Sequence, residues 1–262
     1  MNATSTALPR GNRLSPGQFV QGTLAVARRE VAAYFDSPIA YVYTIAFVLL
    51  ANSIFMNEFF LAGRAELAAF FDNAPLLLAV FLPAVTMRLF AEERKQRTIE
   101  LLLTLPIRPL QAVVAKFLAA SVLLLLFLLG SLPLAVMVFQ LGDPDAGRLW
   151  AGYLGVILLG GQLLSLGLLL SACAGDQIVA FVLSTVVSLA LVLTGQPQVV
   201  AVLDGLAPGV APGTLLLEYV SVLPPYEAFG RGVVPATALV RFAGSTALFL
   251  WLAAVVLDRR RG

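Results

Sequence analysis

Six runs of apolar residues punctuate the chain: Ile39–Phe60, Ala74–Phe90, Ala112–Gln140, Trp150–Cys173, Ile178–Gly195 and Ala236–Leu257. Apolar positions within them are continuous rather than alternating. Each run comes close to or exceeds the ~20 residues that carry a helix across ~30 Å of hydrocarbon. The pattern predicts an all-α polytopic membrane protein with six transmembrane helices. The second run is the least regular, with Pro75 at its start, Pro83 inside and Arg88 near its end. That arginine is tolerable there only if it snorkels to an interface.

Four further segments are not simple spans. In Gln18–Phe35, Val20, Leu24, Ala27, Val31 and Tyr34 repeat at helical spacing, while Gln21, Arg28 and Arg29 fall on the polar side. This predicts an interfacial amphipathic helix along the cytoplasmic leaflet; the plainer alternative is an anchor helix with no role in coupling. In Ala91–Pro109 a charge cluster (Glu92, Glu93, Arg94, Lys95, Arg97) leads into the apolar stub Thr98–Leu105, stopped by Pro106. The residue before a proline is biased out of the helical region, so the stub ends at Leu105. It is far too short to cross a bilayer, and such an apolar surface must be covered by lipid or protein. It either docks in a groove on a cytosolic partner or packs against its own bundle; the residues alone leave both open. Ala174–Gln177 predicts a tight turn. Gln196–Pro235, with six prolines and apolar pieces such as Val199–Leu203 and Thr214–Leu223, predicts a re-entrant or interfacial helical pair, with an ordinary extracellular loop as the alternative.

Composition agrees. Of 262 residues, 60% are hydrophobic and 12% charged, and the mean hydropathy is +0.92. A soluble domain carries about 25% charged residues, so this chain cannot clothe a globule and has no room for a separate soluble domain. Residues 1–17 are polar, lack an apolar signal-peptide core and predict a disordered cytoplasmic tail; 18–262 form one transmembrane domain. The charges are distributed unevenly. Thirteen basic residues fall on the side that would hold both termini (Arg10, Arg13, Arg28, Arg29, Arg88, Arg94, Lys95, Arg97, Arg108, Lys116, Arg259, Arg260, Arg261) and four on the other (Arg64, Arg148, Arg231, Arg241). The positive-inside rule then puts both termini in the cytoplasm.

Several chemistries are excluded or disfavoured. One cysteine, Cys173, forms no intramolecular disulfide, and there is no histidine to act as a base or metal ligand. A net charge of +2 is too small to imply nucleic-acid binding. No glycine-rich GxxxxGK[ST] loop is present to hold ATP. No carboxylate sits mid-span, as an ion-coupled secondary transporter would need. Ser165, Ser171, Ser184 and Ser188 have no activating base nearby. They are read as helix-packing residues, with Gly155, Gly160, Gly161 and Gly167 admitting close neighbours. Asn52 and Gln162 either face a pathway or bridge helices. The chain is therefore not expected to be an enzyme or to hold a cofactor.

The run from Arg88 to Pro109, RLFAEERKQRTIELLLTLPIRP, resembles the cytoplasmic segment of type-two ABC exporter permeases, where an acidic-basic cluster precedes T-[LI]-E-L-L-L-[TS]-x-P. The pattern falls on Glu92, Glu93, Arg94, Thr98, Ile99, Glu100, Leu101, Leu102, Leu103, Thr104 and Pro106; Arg97 stands where glycine is common. Arg28–Tyr41, Leu82–Arg88, Asp176–Phe181 and Arg231–Val234 are similar to the gliding-motility-associated branch. The resemblance implies a permease half in the cytoplasmic membrane, paired with a second copy or paralogue. It implies a cytosolic ABC ATPase subunit, carrying the ATP and Mg, that docks on Thr98–Leu105. It also implies an elbow helix containing Arg28, Arg29 and Glu30, a re-entrant outer segment, and for this branch a membrane-anchored extracytoplasmic accessory protein. Rival expectations are a non-transporting transducer or assembly factor driven by a partner ATPase, and a secondary transporter.

Overall fold

The computed structural model describes residues 16–62, 67–95, 108–142, 144–206 and 210–259. Among them the helices are α1 (Pro16–Phe35), α2 (Pro38–Ala62), α3 (Ala68–Thr86), α4 (Arg88–Lys95), α5 (Pro109–Leu129), α6 (Leu132–Leu141), α7 (Ala146–Cys173), α8 (Gln177–Leu193), α9 (Pro197–Leu206), α10 (Pro212–Tyr219), α11 (Leu223–Gly230) and α12 (Ala236–Asp258). Five stretches are long and apolar enough to cross a membrane: Pro38–Leu61, Ala68–Glu93, Pro109–Leu141, Ala146–Cys173 and Ala236–Asp258. A sixth qualifies only if α8 and α9, bent by 87° at their junction, are taken as one span.

The bundle is organised around α7, which packs against α3, α4, α5, α8, α11 and α12. Its 28 residues make a rod of about 42 Å at 1.5 Å per residue. Glycine lets neighbours reach the rod. A Cβ on Gly155 would lie 2.7 Å from Phe229 Cβ, and one on Gly160 would lie 2.6 Å from Leu124 Cδ2. Phe47 of α2 stacks on Phe127 of α5 with ring centroids 4.5 Å apart, and Phe81 of α3 meets Phe47 edge-on at 5.4 Å.

Two predicted spans are broken. The second divides at Met87, and Ser171 of α7 stitches the break. Its hydroxyl accepts from the backbone N–H of Phe90 and Ala91, both at 3.2 Å, and donates to Met87 O at 3.2 Å. These N–H groups lie in the first turn of α4, where backbone donors are short of intrahelical acceptors. Ser171 is wholly buried. Ser171→Ala is expected to cost about 1–3 kcal/mol by leaving them unsatisfied, read as a lower thermal midpoint in detergent. The third span breaks at Gly130–Ser131, where Pro133 opens α6. Asn52 Nδ2 donates to Gly130 O at 3.3 Å, so this residue bridges α2 to the break.

Beyond α8 the chain forms three short helices. Asp204 clips α10 to α9: its carboxylate accepts from Thr214 N at 3.1 Å and Thr214 Oγ1 at 2.7 Å. The hydrogen bond from the Thr214 hydroxyl, above all, holds the Asp204 carboxyl below its ordinary value. Tyr226 of α11 donates to Phe71 O at 2.7 Å. That carbonyl is free because Pro75, four residues on, has no N–H to offer. Arginines close the ends of these helices, Arg148 Nε on Gly230 O at 2.8 Å and Arg241 on Ser221 O at 2.9 Å.

Candidate functional site

Three elements converge at the bundle end from which residues 96–107 depart. The helix α1 packs along α5. Its bundle-facing stripe takes in Ala27 and Tyr34 of the apolar repeat but not Val20 and Leu24. Thr23 and Ala27 are buried against the protein, whereas Val20 and Leu24 are 62% and 64% exposed. Small side chains let α1 come close, and the larger apolar ones are left for lipid. Gln111 pins the contact near the start of α5. Its Oε1 accepts from Arg108 N at 2.8 Å, as a helix-capping side chain does, and its Nε2 donates to Phe19 O at 3.2 Å.

The same stripe carries Glu30 inward to Lys116. Lys116, 1% exposed in the second turn of α5, donates to Glu30 Oε2 at 3.2 Å and to Glu93 Oε1 at 2.8 Å. Its Nζ also lies 5.2 Å from the centroid of the Phe90 ring. An ammonium this deep is tolerable because two carboxylates and an aromatic face replace its water. Beside it, Arg88 Nε pairs with Glu92 Oε2 at 3.1 Å and its NH1 donates to Ser37 Oγ at 3.0 Å. Arg88 thus reaches protein groups instead of snorkelling. Tyr34 donates to Val85 O at 3.1 Å, a carbonyl in the unpaired last turn of α3. Burial and the nearby Glu30 carboxylate push the Tyr34 phenol well above its usual range, so it remains a donor. The side chains of Glu30, Tyr34, Arg88, Glu92, Glu93 and Lys116 surround a cleft of about 180 Å³.

Burial works to raise the Glu30 carboxyl, but Lys116, with help from Arg29 at 2.9 Å, outweighs it and holds the group below its ordinary 4.5. A carboxyl held low in the fold contributes stability that is present above its unfolded value and lost as pH falls through the lowered one. Glu30's own contribution to the thermal midpoint should therefore fall away on the acid side of the ordinary glutamate range. Glu30→Gln should flatten that part of the profile; an unchanged profile in the variant would show that Glu30 contributes nothing to it.

Of the expected site residues, Glu30, Glu92 and Glu93 meet in this cluster. Arg29 joins through Glu30 and is largely exposed; Arg28 is exposed. Arg94 lies in the last turn of α4. Thr98, Ile99, Glu100, Leu101, Leu102, Leu103, Thr104, Leu105 and Pro106 lie outside the described residues. Lys116 is the member that sequence reasoning passed over as a cation near a span end. The available signal was a solitary lysine four residues into the apolar run that begins at Ala112.

The arrangement is a tie made of ion pairs and hydrogen bonds. It fastens together the two roots of the 96–107 segment, since Glu93 precedes it and Lys116 follows it, and ties both to α1. The family described as ABC-2 family transporter protein matches residues 64–257, from α3 through all but the last residue of α12, whereas α1 and α2 fall before the match. No curated protein matches the chain.

Proposed function

This chain belongs to the ABC-2 transporter family and is a multi-pass permease component of an ABC transporter; from that premise we propose that it is one half of an ATP-driven exporter in the cytoplasmic membrane. In this reading it crosses the bilayer six times, with α8 as the fifth span and both termini in the cytoplasm. The α9–α11 region is the re-entrant outer segment. The chain pairs with a second copy or a paralogue. It holds no cofactor and hydrolyses nothing; ATP and Mg belong to a separately encoded cytosolic ATPase. The resemblance of Arg28–Tyr41 to the gliding-motility-associated branch favours an extracytoplasmic accessory protein.

The observation that carries the reading is the Glu30–Lys116–Glu93 clamp at the roots of the leucine-rich segment. Residues 98–105, with Glu92, Glu93 and Arg94 leading in, form the ATPase-docking element, and α1 is the elbow that moves with it. ATP can shift a two-state permease only through contacts that differ between its states. A docking segment rooted in a buried ionic knot delivers the motor's displacement to the second and third spans rather than dissipating it in a slack loop.

The test is reconstitution. The chain co-expressed with its cytosolic ATPase should yield a membrane complex that moves cargo only with hydrolysable ATP. A complex that hydrolyses ATP yet moves nothing would favour a transducer, and transport driven by an ion gradient without any ATPase would contradict the reading.

A further inference from the structure

On the flank of the bundle built by α5, α7 and α12 lies an apolar slot of about 430 Å³, separate from the cluster at the 96–107 roots. Adjacent glycines of α7 create it. At Gly160 the rod touches α5, because a Cβ there would meet Leu124. At Gly161, one residue on, the nearest neighbour of such a Cβ is Phe117 Cζ at 3.8 Å, ordinary contact with room to spare. The helices therefore touch at one position and part at the next. Phe242 of α12, 1% exposed, forms part of the lining. Leu125 and Ile157, 47% and 38% exposed, lie on the slot's outer edge.

We infer that this slot holds one acyl chain of a bilayer phospholipid. Its walls lie within three stretches long and apolar enough to span a membrane, so it opens on hydrocarbon. The hydroxyl of Ser121 is already spent on Phe117 O at 2.9 Å and does not call for water. Apolar cavities of about 150 Å³ stay dry and take up hydrocarbon, and this slot is larger. Its length suits part of a tail. The lining runs from Phe117 to Leu125 on α5 and from Phe242 to Leu250 on α12, which at 1.5 Å per residue is about 12 Å along the helices. The tail gains no hydrophobic energy on entry, because it leaves an equally dry phase; it gains close contact with both walls. The inference is independent of ATPase docking.

The experiment is native mass spectrometry of the full chain, purified with its ATPase from vesicles of phosphatidylethanolamine and phosphatidylglycerol and delipidated stepwise. One phospholipid mass per chain should persist after the bulk lipid has gone. Gly161→Phe and Ala247→Phe, which fill the slot from opposite walls, should each reduce the retained fraction at least fivefold. Val186→Phe, on the exposed face of α8, should leave it unchanged. Ala247 is exposed at the rim, so that variant remains readable if Gly161→Phe does not fold. Absence of retained lipid in the wild type, or equal retention in a folded slot-filling variant, overturns the inference. So does a cysteine at Ser121 that cross-links to a second protein chain.

Discussion

Lys116→Ala is expected to lower stability by about 3–5 kcal/mol, the penalty for removing one partner of a buried ion pair. Both Glu30 and Glu93 converge on this ammonium, at 3.2 and 2.8 Å, and their side chains are only 14% and 20% exposed. Deleting the lysine removes, from beside the Phe90 ring, the cation that these two partly desolvated acids share. Thermal unfolding in detergent at neutral pH should show a large fall in midpoint, partly recovered on acidification as the acids take up protons. The triple variant Lys116→Met, Glu30→Gln, Glu93→Gln separates two roles of the cluster. Replacing every charge with a group of similar size should restore most of the stability. It should not restore ATP-driven work, because the electrostatic tie between α1 and the roots of the docking segment is gone. A triple variant that is stable and fully active would reduce the cluster to packing.

Leu102→Asp should abolish partnership with the ATPase while leaving the permease folded. The substitution places a charge in the middle of Leu101–Leu105, where a docked helix would have to bury it unpaired. A tenfold loss of affinity needs only about 1.4 kcal/mol, less than the cost of such burial. Recovery of the ATPase on the tagged permease should fall at least tenfold, with the permease midpoint unchanged, and Leu102→Met should behave as wild type. Equal recovery with the aspartate variant would remove the docking role from this segment. A collapse of the midpoint would mean instead that the leucines pack on their own bundle.

Helix identity was plain in the sequence because lipid imposes it. Long uninterrupted apolar runs admit only helices, and the boundaries of the first, fourth and sixth spans lie within four residues of the hydropathic runs. Breaks were harder to see. Pro133 marks the start of α6, but hydropathy does not distinguish a straight span from one interrupted at Gly130. At Met87 the interruption is bonded by Ser171, more than eighty residues away, which no local pattern announces. Periodicity marked the apolar repeat of α1 but not how it divides: Ala27 and Tyr34 turn to the bundle, while Val20 and Leu24 stay exposed, because lipid offers burial as readily as protein does. Lys116 and Arg88 were visible as anomalies without roles, because the carboxylates that answer them come from elements distant in the chain or from the next helical turn. The glycines of α7 were read alike, yet Gly155 and Gly160 admit neighbours and Gly161 opens a slot. One-dimensional spacing carries no information on which side of a helix is already occupied.

Site-specific photo-cross-linking from Leu102, in native membranes containing the ATPase, tests the docking claim most directly. A cross-linker placed there should give a single protein adduct at the combined mass of permease and ATPase, lost when the ATPase is absent. Cross-links confined to the permease's own helices or to lipid, with the ATPase present and bound, would contradict the account.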